Sequence, residues 1–157
     1  MNNYCSKVRR RLAHLPRFHR PKDVLLFSRI VVFAAAVPLL LRLQLPRLYA
    51  LLQPRVAPPS AADPTSVQQI AGYVDAVLQL GKPLLGHNCR TRGLTLYYFL
   101  SRAGLPVELC FGVGSREDNF PGHCWLVRDG EPFLEPQDPR SRYHPFYRFP
   151  AYSDPNS

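Results

Sequence analysis

Between Cys89 and Glu135 the spacing of apolar residues changes period, and that change limits the fold more than any other feature of the chain. In Cys89–Arg102, Leu94, Tyr97, Tyr98 and Ser101 recur at helical intervals, and Leu96 with Leu100 extends the apolar face. Asn88 is a good N-cap, Gly104 is placed as a left-handed terminator, and Pro106 closes the turn. Val107 to Val113 then reads as a strand, and Gly114 to Pro121 as a polar loop. His123 to Val127 reads as a second strand, Asp129-Gly130 as a hairpin signal, and Glu131 to Glu135 as the return strand. Pro136 to Ser157, rich in Pro, Tyr and Arg, is expected to wrap the surface.

The sequence before this unit has another character. Residues 1–60 hold eleven Lys/Arg against one acid, Asp23, a charge of +10, whereas residues 61–157 hold nine against ten, a charge of −1. A basic front end on a near-neutral body suits nucleic acid, anionic lipid or an acidic partner. Nucleic acid is disfavoured because no aromatic residues interleave with the arginines of Arg9-Arg10-Arg11. Val24 to Leu41 is a nearly continuous apolar run at the lower edge of membrane-spanning length, with Arg29 inside it and Pro38 set to kink it. With Leu43, Leu45, Leu48, Leu51 and Leu52 beyond, it reads as two apolar-faced helices separated at Pro46 and packed on a domain or partner; contact with a membrane stays open. Gln53 to Pro64 reads as a linker, which divides the chain into a front end, 1–60, and a body, 61–157. Thr65 is the expected N-cap of a further helix carrying Val67, Ile70, Ala71, Val74, Val77 and Leu78, ended by Gly81, Lys82 and Pro83.

Cys5, Cys89, Cys110 and Cys124 are the four cysteines. No convincing secretory signal precedes them, so reduced thiols in the cytosol are expected. No CxxC pair occurs, and Cys89, Cys110, His123 and Cys124 lack a standard zinc spacing, so neither a metal nor a cofactor is expected. Cys89 differs from the rest because it opens its helix directly after the cap. Unpaired N–H groups and the helix dipole favour a thiolate there, and Arg90 and Arg92 add positive charge. A thiolate nucleophile needs a base that takes and returns a proton, and His123 at the start of Gly-His-Cys-Trp-Leu-Val supplies one.

A carboxylate should orient the imidazole. If Arg128-Asp129-Gly130 forms a three-residue loop, Val127 pairs with Glu131 and His123 faces Glu135 across the hairpin. A two-residue turn at Asp129-Gly130 would instead pair His123 with Pro136 and turn Glu135 to the other face. Glu135 is chosen, with Asp138 in reserve and Asp129 as a turn residue. Cys124 is rejected as nucleophile because neighbouring strand residues point to opposite faces. Cys110 reads as core, Cys5 as an exposed thiol and His87 as a solvated loop residue. The Cys89 backbone N–H is the one oxyanion donor the sequence identifies.

A cysteine on a helix, a histidine on a strand and an acid about a dozen residues later resemble the transglutaminase-like branch of the papain-type fold. The run Asn-Cys-Arg-Thr-Arg-Gly-Leu-Thr-Leu-Tyr-Tyr-Phe-Leu-Ser-Arg-Ala-Gly-Leu-Pro-Val-Glu-Leu-Cys-Phe-Gly-Val, followed by Gly-His-Cys-Trp-Leu-Val, is similar to the leader peptidases of lasso-peptide biosynthesis, a microcin-processing, transglutaminase-like family. Residues 8–52 resemble its leucine- and arginine-rich helical segment in composition, so the likeness covers roughly residues 8–135. The resemblance implies an α+β fold: a papain/transglutaminase-like core, with the nucleophile helix on a small antiparallel sheet, behind an N-terminal helical segment. It implies that Cys89 attacks the peptide bond at the leader–core junction of a ribosomal precursor peptide, with His123 as base and then acid and Glu135 as orienter. Its implied partners are the precursor, a separate small leader-recognition protein and an asparagine-synthetase-like, ATP-using macrolactam synthetase. Two positions depart from the family: Glu135 stands where Asp is usual, and Cys124 where a small residue is usual.

Overall fold

The computed structural model describes residues 20–43, 45–52, 63–81, 89–114 and 122–149. Among these, four α-helices precede and cover a four-stranded antiparallel sheet. The helices are α1 (Pro21–Leu40), α2 (Leu45–Leu52), α3 (Pro64–Leu80) and α4 (Cys89–Arg102). The strands are β1 (Glu108–Gly114), β2 (His123–Arg128), β3 (Glu131–Phe133) and β4 (Tyr143–Phe149), in the order β3-β2-β1-β4. A 3-10 turn, Pro139–Ser141, leads into β4.

The helix that opens on Cys89 keeps the bounds its periodicity predicts, and Gly104 ends it at φ +86°, in the left-handed region that glycine enters freely. Leu94, Leu96, Tyr97 and Leu100 on this helix are buried. Its close approach to the sheet depends on Gly93. A Cβ there would lie 2.8 Å from Cys124 Sγ and 3.1 Å from Leu109 Cδ1. The sheet face towards α4 carries Leu109, Cys124, Leu126 and Phe149, which join the helical residues in one core. The opposite face gathers Cys110, Trp125 and Val127, with Tyr143 against them. Register explains the division: Cys110 faces Trp125 and Phe111 faces Cys124 across β1 and β2, so alternate residues go to alternate sides.

The front-end helix α1 closes the core from outside. Ile30, Ala34 and Val37 are fully buried in the cluster that holds α3 and α4. Asp23 joins it to α3: one carboxylate oxygen accepts from the Arg20 backbone N–H at the helix start (3.0 Å), the other from Gln69 Nε2 (2.9 Å). Its far side is different. Val24, Leu25, Val32 and Leu39 are exposed, and α1 is long and apolar enough to cross a membrane by length and composition.

Four local expectations are corrected. Asp63, not Thr65, caps α3; its carboxylate accepts from the Thr65 N–H (3.2 Å). Pro64 takes the first helical position, where a missing N–H costs nothing. The hairpin is tighter than the three-residue loop. Arg128 faces Glu131, Val127 faces Pro132 and Leu126 faces Phe133, so the turn is the two residues Asp129 and Gly130, at φ +52° and +82°. Asp tolerates the left-handed region well enough to make this turn available. The return strand also stops at Phe133 rather than Glu135. Finally, the C-terminal stretch does not merely wrap the surface, because Tyr143–Phe149 forms β4 on the free edge of β1. Pro145 hid it. Proline is tolerated on edge strands, and a register shift lies beside it between Phe111 and Gly112. Asn88, His87, Cys5, Lys82-Pro83 and residues 115–121 lie outside the described residues, as does nearly all of the linker.

Candidate active site

At the N-terminal end of α4 lies a cleft of about 560 Å³, lined among others by Asp75, Cys89, Arg92, His123, Leu134 and Glu135. Cys89 is the first helical residue. Its own N–H has no carbonyl four residues earlier inside the helix to pair with. Burial alone would raise the Cys89 thiol. The hydrogen bond to His123, the main-chain N–H groups of Cys124 and Arg90, and the charge of His123 outweigh burial and hold the thiol below its ordinary value. The Cys124 N–H can serve because β3 pairs with β2 only from Leu126 onward, leaving the start of that strand edge without a ladder partner.

His123 begins β2, opposite Gly112 of β1. Its ring lies nearly parallel to Trp125 at 5.8 Å between centroids, and Tyr143 of β4 covers it at 5.0 Å. The imidazole therefore packs against a tryptophan of its own strand and a tyrosine of the C-terminal strand, whose rings also meet each other. Its Nε2 meets Glu135 Oε2 at 3.3 Å, which leaves Nδ1 as the ring nitrogen available to the Cys89 thiol. The hydrogen bonds to Cys89 and to Glu135, against a smaller opposing effect of burial, push the His123 pKa up to about 9. A lowered thiol beside a raised imidazole favours passage of the thiol proton to the ring, towards a thiolate–imidazolium pair.

Glu135 reaches His123 by a route the hairpin argument did not contain. With the two-residue turn, strict alternation would carry it to the other face. The chain leaves the strand instead. Leu134 sits at φ +58°, outside the ladder, and this left-handed break swings Glu135 back towards His123. The residue is the one the sequence singled out, and the geometry that delivers it is not. Asp138, the reserve, is elsewhere: it caps the 3-10 turn and pairs with Arg140. The Cys124 thiol faces α4 beside Gly93, buried, and burial together with neighbouring negative charge pushes its pKa well above the ordinary thiol value. Cys110 is buried in the outer cluster and likewise raised by burial.

Two residues of the cleft escaped the sequence reading or were misjudged by it. Arg92, expected only to add positive charge, donates from NH1 to Glu135 Oε1 (3.0 Å), from NH2 to the Leu134 carbonyl (3.0 Å) and from Nε to Asp75 Oδ1 (2.9 Å). Asp75, on α3, had drawn no attention. It borders the apolar face of its helix, beside Ala71 and Leu78, and nothing local announces a partner seventeen residues away.

A thiolate at a helix N-terminus, an imidazolium and an orienting carboxylate can carry out nucleophilic acyl transfer. The comparisons agree with that chemistry at the level of family. Residues 33–148 match the family model described as the transglutaminase-like superfamily. No curated protein and no solved structure matches the chain. The matched span runs from within α1 to within β4, taking in the nucleophile helix and every strand pairing that builds the cleft. With that span covering well over half of its length, the chain belongs to the transglutaminase-like superfamily, whose α+β, papain-like core it carries.

Proposed function

We propose that the protein is a cysteine peptidase that removes the leader from a ribosomally made lasso-peptide precursor before the macrolactam ring is closed. The observation that carries the reading is the unbroken chain from the Cys89 thiol through His123 to Glu135 at the mouth of an open cleft. The likeness of the segments around Cys89 and His123 to leader peptidases of this kind narrows the superfamily-level chemistry to that substrate class.

In this scheme the Cys89 thiolate attacks the carbonyl carbon at the leader–core junction. The helix-terminal N–H groups face the oxyanion as it develops. His123, protonated at the start, gives its proton to the departing amine and leaves a thioester on Cys89. Water then attacks the thioester, His123 takes the water's proton, and the thiolate is restored with the ring once more protonated. Glu135 holds the imidazole in the tautomer and direction that both transfers need. The reaction is assigned to the cytosol, with delivery by a leader-recognition protein and hand-over to the macrolactam synthetase. The exposed apolar side of α1 is available for membrane contact.

Incubation of the protein with precursor peptide and recognition protein, read by mass spectrometry, tests this reading. One cut at a single junction, lost in Cys89→Ala, is the expected result. Cleavage that survives Cys89→Ala would overturn it. A mass gain that joins an amine acceptor to the peptide would instead assign the site to cross-linking.

A further inference from the structure

The hydrolysis scheme leaves two charged residues of the cleft without a task, Arg92 and Asp75. What they hold is informative. Glu135 lies past the end of β3, so no ladder hydrogen bond fixes its backbone, and the turn that aims it runs through a leucine in the left-handed region. A bulky residue rarely occupies that region unless its surroundings hold it there. Arg92 is the group that reaches it. It stands one helical turn after Cys89, on the same rigid element as the nucleophile. Two of its donors close on the chain at consecutive residues: the Leu134 carbonyl and the Glu135 carboxylate. The third donor is taken by Asp75 from α3, which fixes the rotation of the guanidinium.

The two Glu135 oxygens are thereby divided, Oε1 to Arg92 and Oε2 to His123. The carboxylate side chain is only 10 % exposed and Arg92 26 %, so water competes weakly for these bonds. A lysine could not copy the arrangement, because one ammonium cannot present a planar fork to a carbonyl and a carboxylate while a third N–H is held elsewhere.

We propose that Arg92, locked by Asp75, is a positioning residue that sets the Glu135 carboxylate on His123 and ties the acid to the helix bearing the nucleophile. This rests on the reading of Cys89, His123 and Glu135 as the reacting set. It gives the second arginine after Cys89 a role in orientation rather than in attracting substrate.

The test is a double-mutant cycle on the full chain, with two readouts: precursor cleavage, and the pH dependence of Cys89 alkylation by iodoacetamide, which needs no peptide. Arg92→Met should lower kcat by about 10- to 100-fold, the scale at which misplacement of a reacting group is felt, while KM stays within about 2-fold. Arg92→Lys should recover little of that loss. Placed on Glu135→Gln, Arg92→Met should add less than about 2-fold, since the group it positions is already gone. The alkylation profile of Arg92→Met should move towards that of an ordinary thiol. Full multiplication of the two losses, an effect on KM alone, or an unmoved alkylation profile would overturn the proposal. Should Arg92→Met not fold, Asp75→Asn removes the outer lock at a half-exposed side chain, and a smaller loss with the same non-additivity is expected. If wild-type protein cuts no precursor yet the alkylation profiles shift as stated, the leader-peptidase reading falls and the positioning role stands. If wild-type protein cuts and the profiles coincide, the reverse holds.

Discussion

The two ends of α4 are built for different work. At its N-terminal end every contact of note is polar: Cys89 to His123, and Arg92 to Glu135, Asp75 and the Leu134 carbonyl. At its C-terminal end the contacts are mostly aromatic. Phe33 of α1 stacks on Tyr98 at 4.1 Å and meets Phe99 edge-on at 5.8 Å. The Arg102 guanidinium lies 3.6 Å above Tyr98 and donates to the carbonyls of Leu51 and Leu52, where α2 ends and its last carbonyls lack helical partners. One helix thus carries the candidate site at one end and packs on α1 and α2 at the other. Helices α1 and α2 brace the element on which Cys89 sits. The contrast also predicts that the two ends fail separately.

The largest effect should come from the polar end. Cys89→Ala should reduce cleavage by about 10⁶-fold, the scale of losing a nucleophile outright, with a smaller loss of Tm than a core truncation causes. A loss of Tm as large as that of a core truncation would show that the ends are not independent. Leu100, fully buried towards the other end, supplies the converse. Leu100→Ala should cost about 2–5 kcal/mol of stability in denaturant titration. Its activity per folded molecule, taken well below the unfolding transition, should stay near that of the wild type. A rate loss at full occupancy of the folded state would break the comparison.

A smaller effect should join the two categories. At Gly112, directly opposite His123, a Cβ would come within 2.7 Å of the Trp125 ring and 3.0 Å of Tyr143 Cβ. Trp125 is 1 % exposed and cannot swing out. Gly112→Ala should therefore cost about 1–3 kcal/mol as overpacking, and it should also slow cleavage, because the displaced rings are those that hold His123. Calorimetry and initial rates on one preparation check both halves.

Much of this site is legible in the sequence, and the remainder is hidden for identifiable reasons. Local chemistry was readable. A periodic segment with cysteine first and glycine after its end sets α4, and alternation sets the core of β1 and β2. The residue that meets His123 is readable too, although a three-residue hairpin loop is the wrong route to it. A positive-φ leucine leaves no mark in a sequence, so the turn at Leu134 that rescues Glu135 could not be foreseen. The edge strand β4 is masked by Pro145 and by the lack of a clear apolar–polar alternation, most of its side chains being exposed, and with it Tyr143, the second ring against His123. Long-range ion pairs such as Arg92 with Asp75 have no local signature. They become visible only when α3 and α4 are laid side by side.

The pH dependence sharpens the account of the polar end. The pair works while Cys89 is a thiolate and His123 carries the proton. Cleavage should therefore rise with pH as the thiol, held below its ordinary value, deprotonates, and fall again as His123 loses its proton near pH 9. Stability linked to His123 has the same alkaline limit. Its pKa is raised above the unfolded value, so the contribution is complete below about 6.5 and disappears as pH climbs through about 9.

The most direct measurement is the rate of iodoacetamide alkylation at each cysteine as a function of pH, resolved by peptide mass spectrometry in the wild type and in His123→Ala. Proton transfer from Cys89 to His123 predicts that Cys89 reacts below the pH at which an ordinary thiol ionises, that Cys110 and Cys124 stay inert in the folded protein, and that His123→Ala returns Cys89 to ordinary behaviour. A Cys89 that titrates like a free thiol in the wild type, or a Cys124 that reacts ahead of it, would contradict the account.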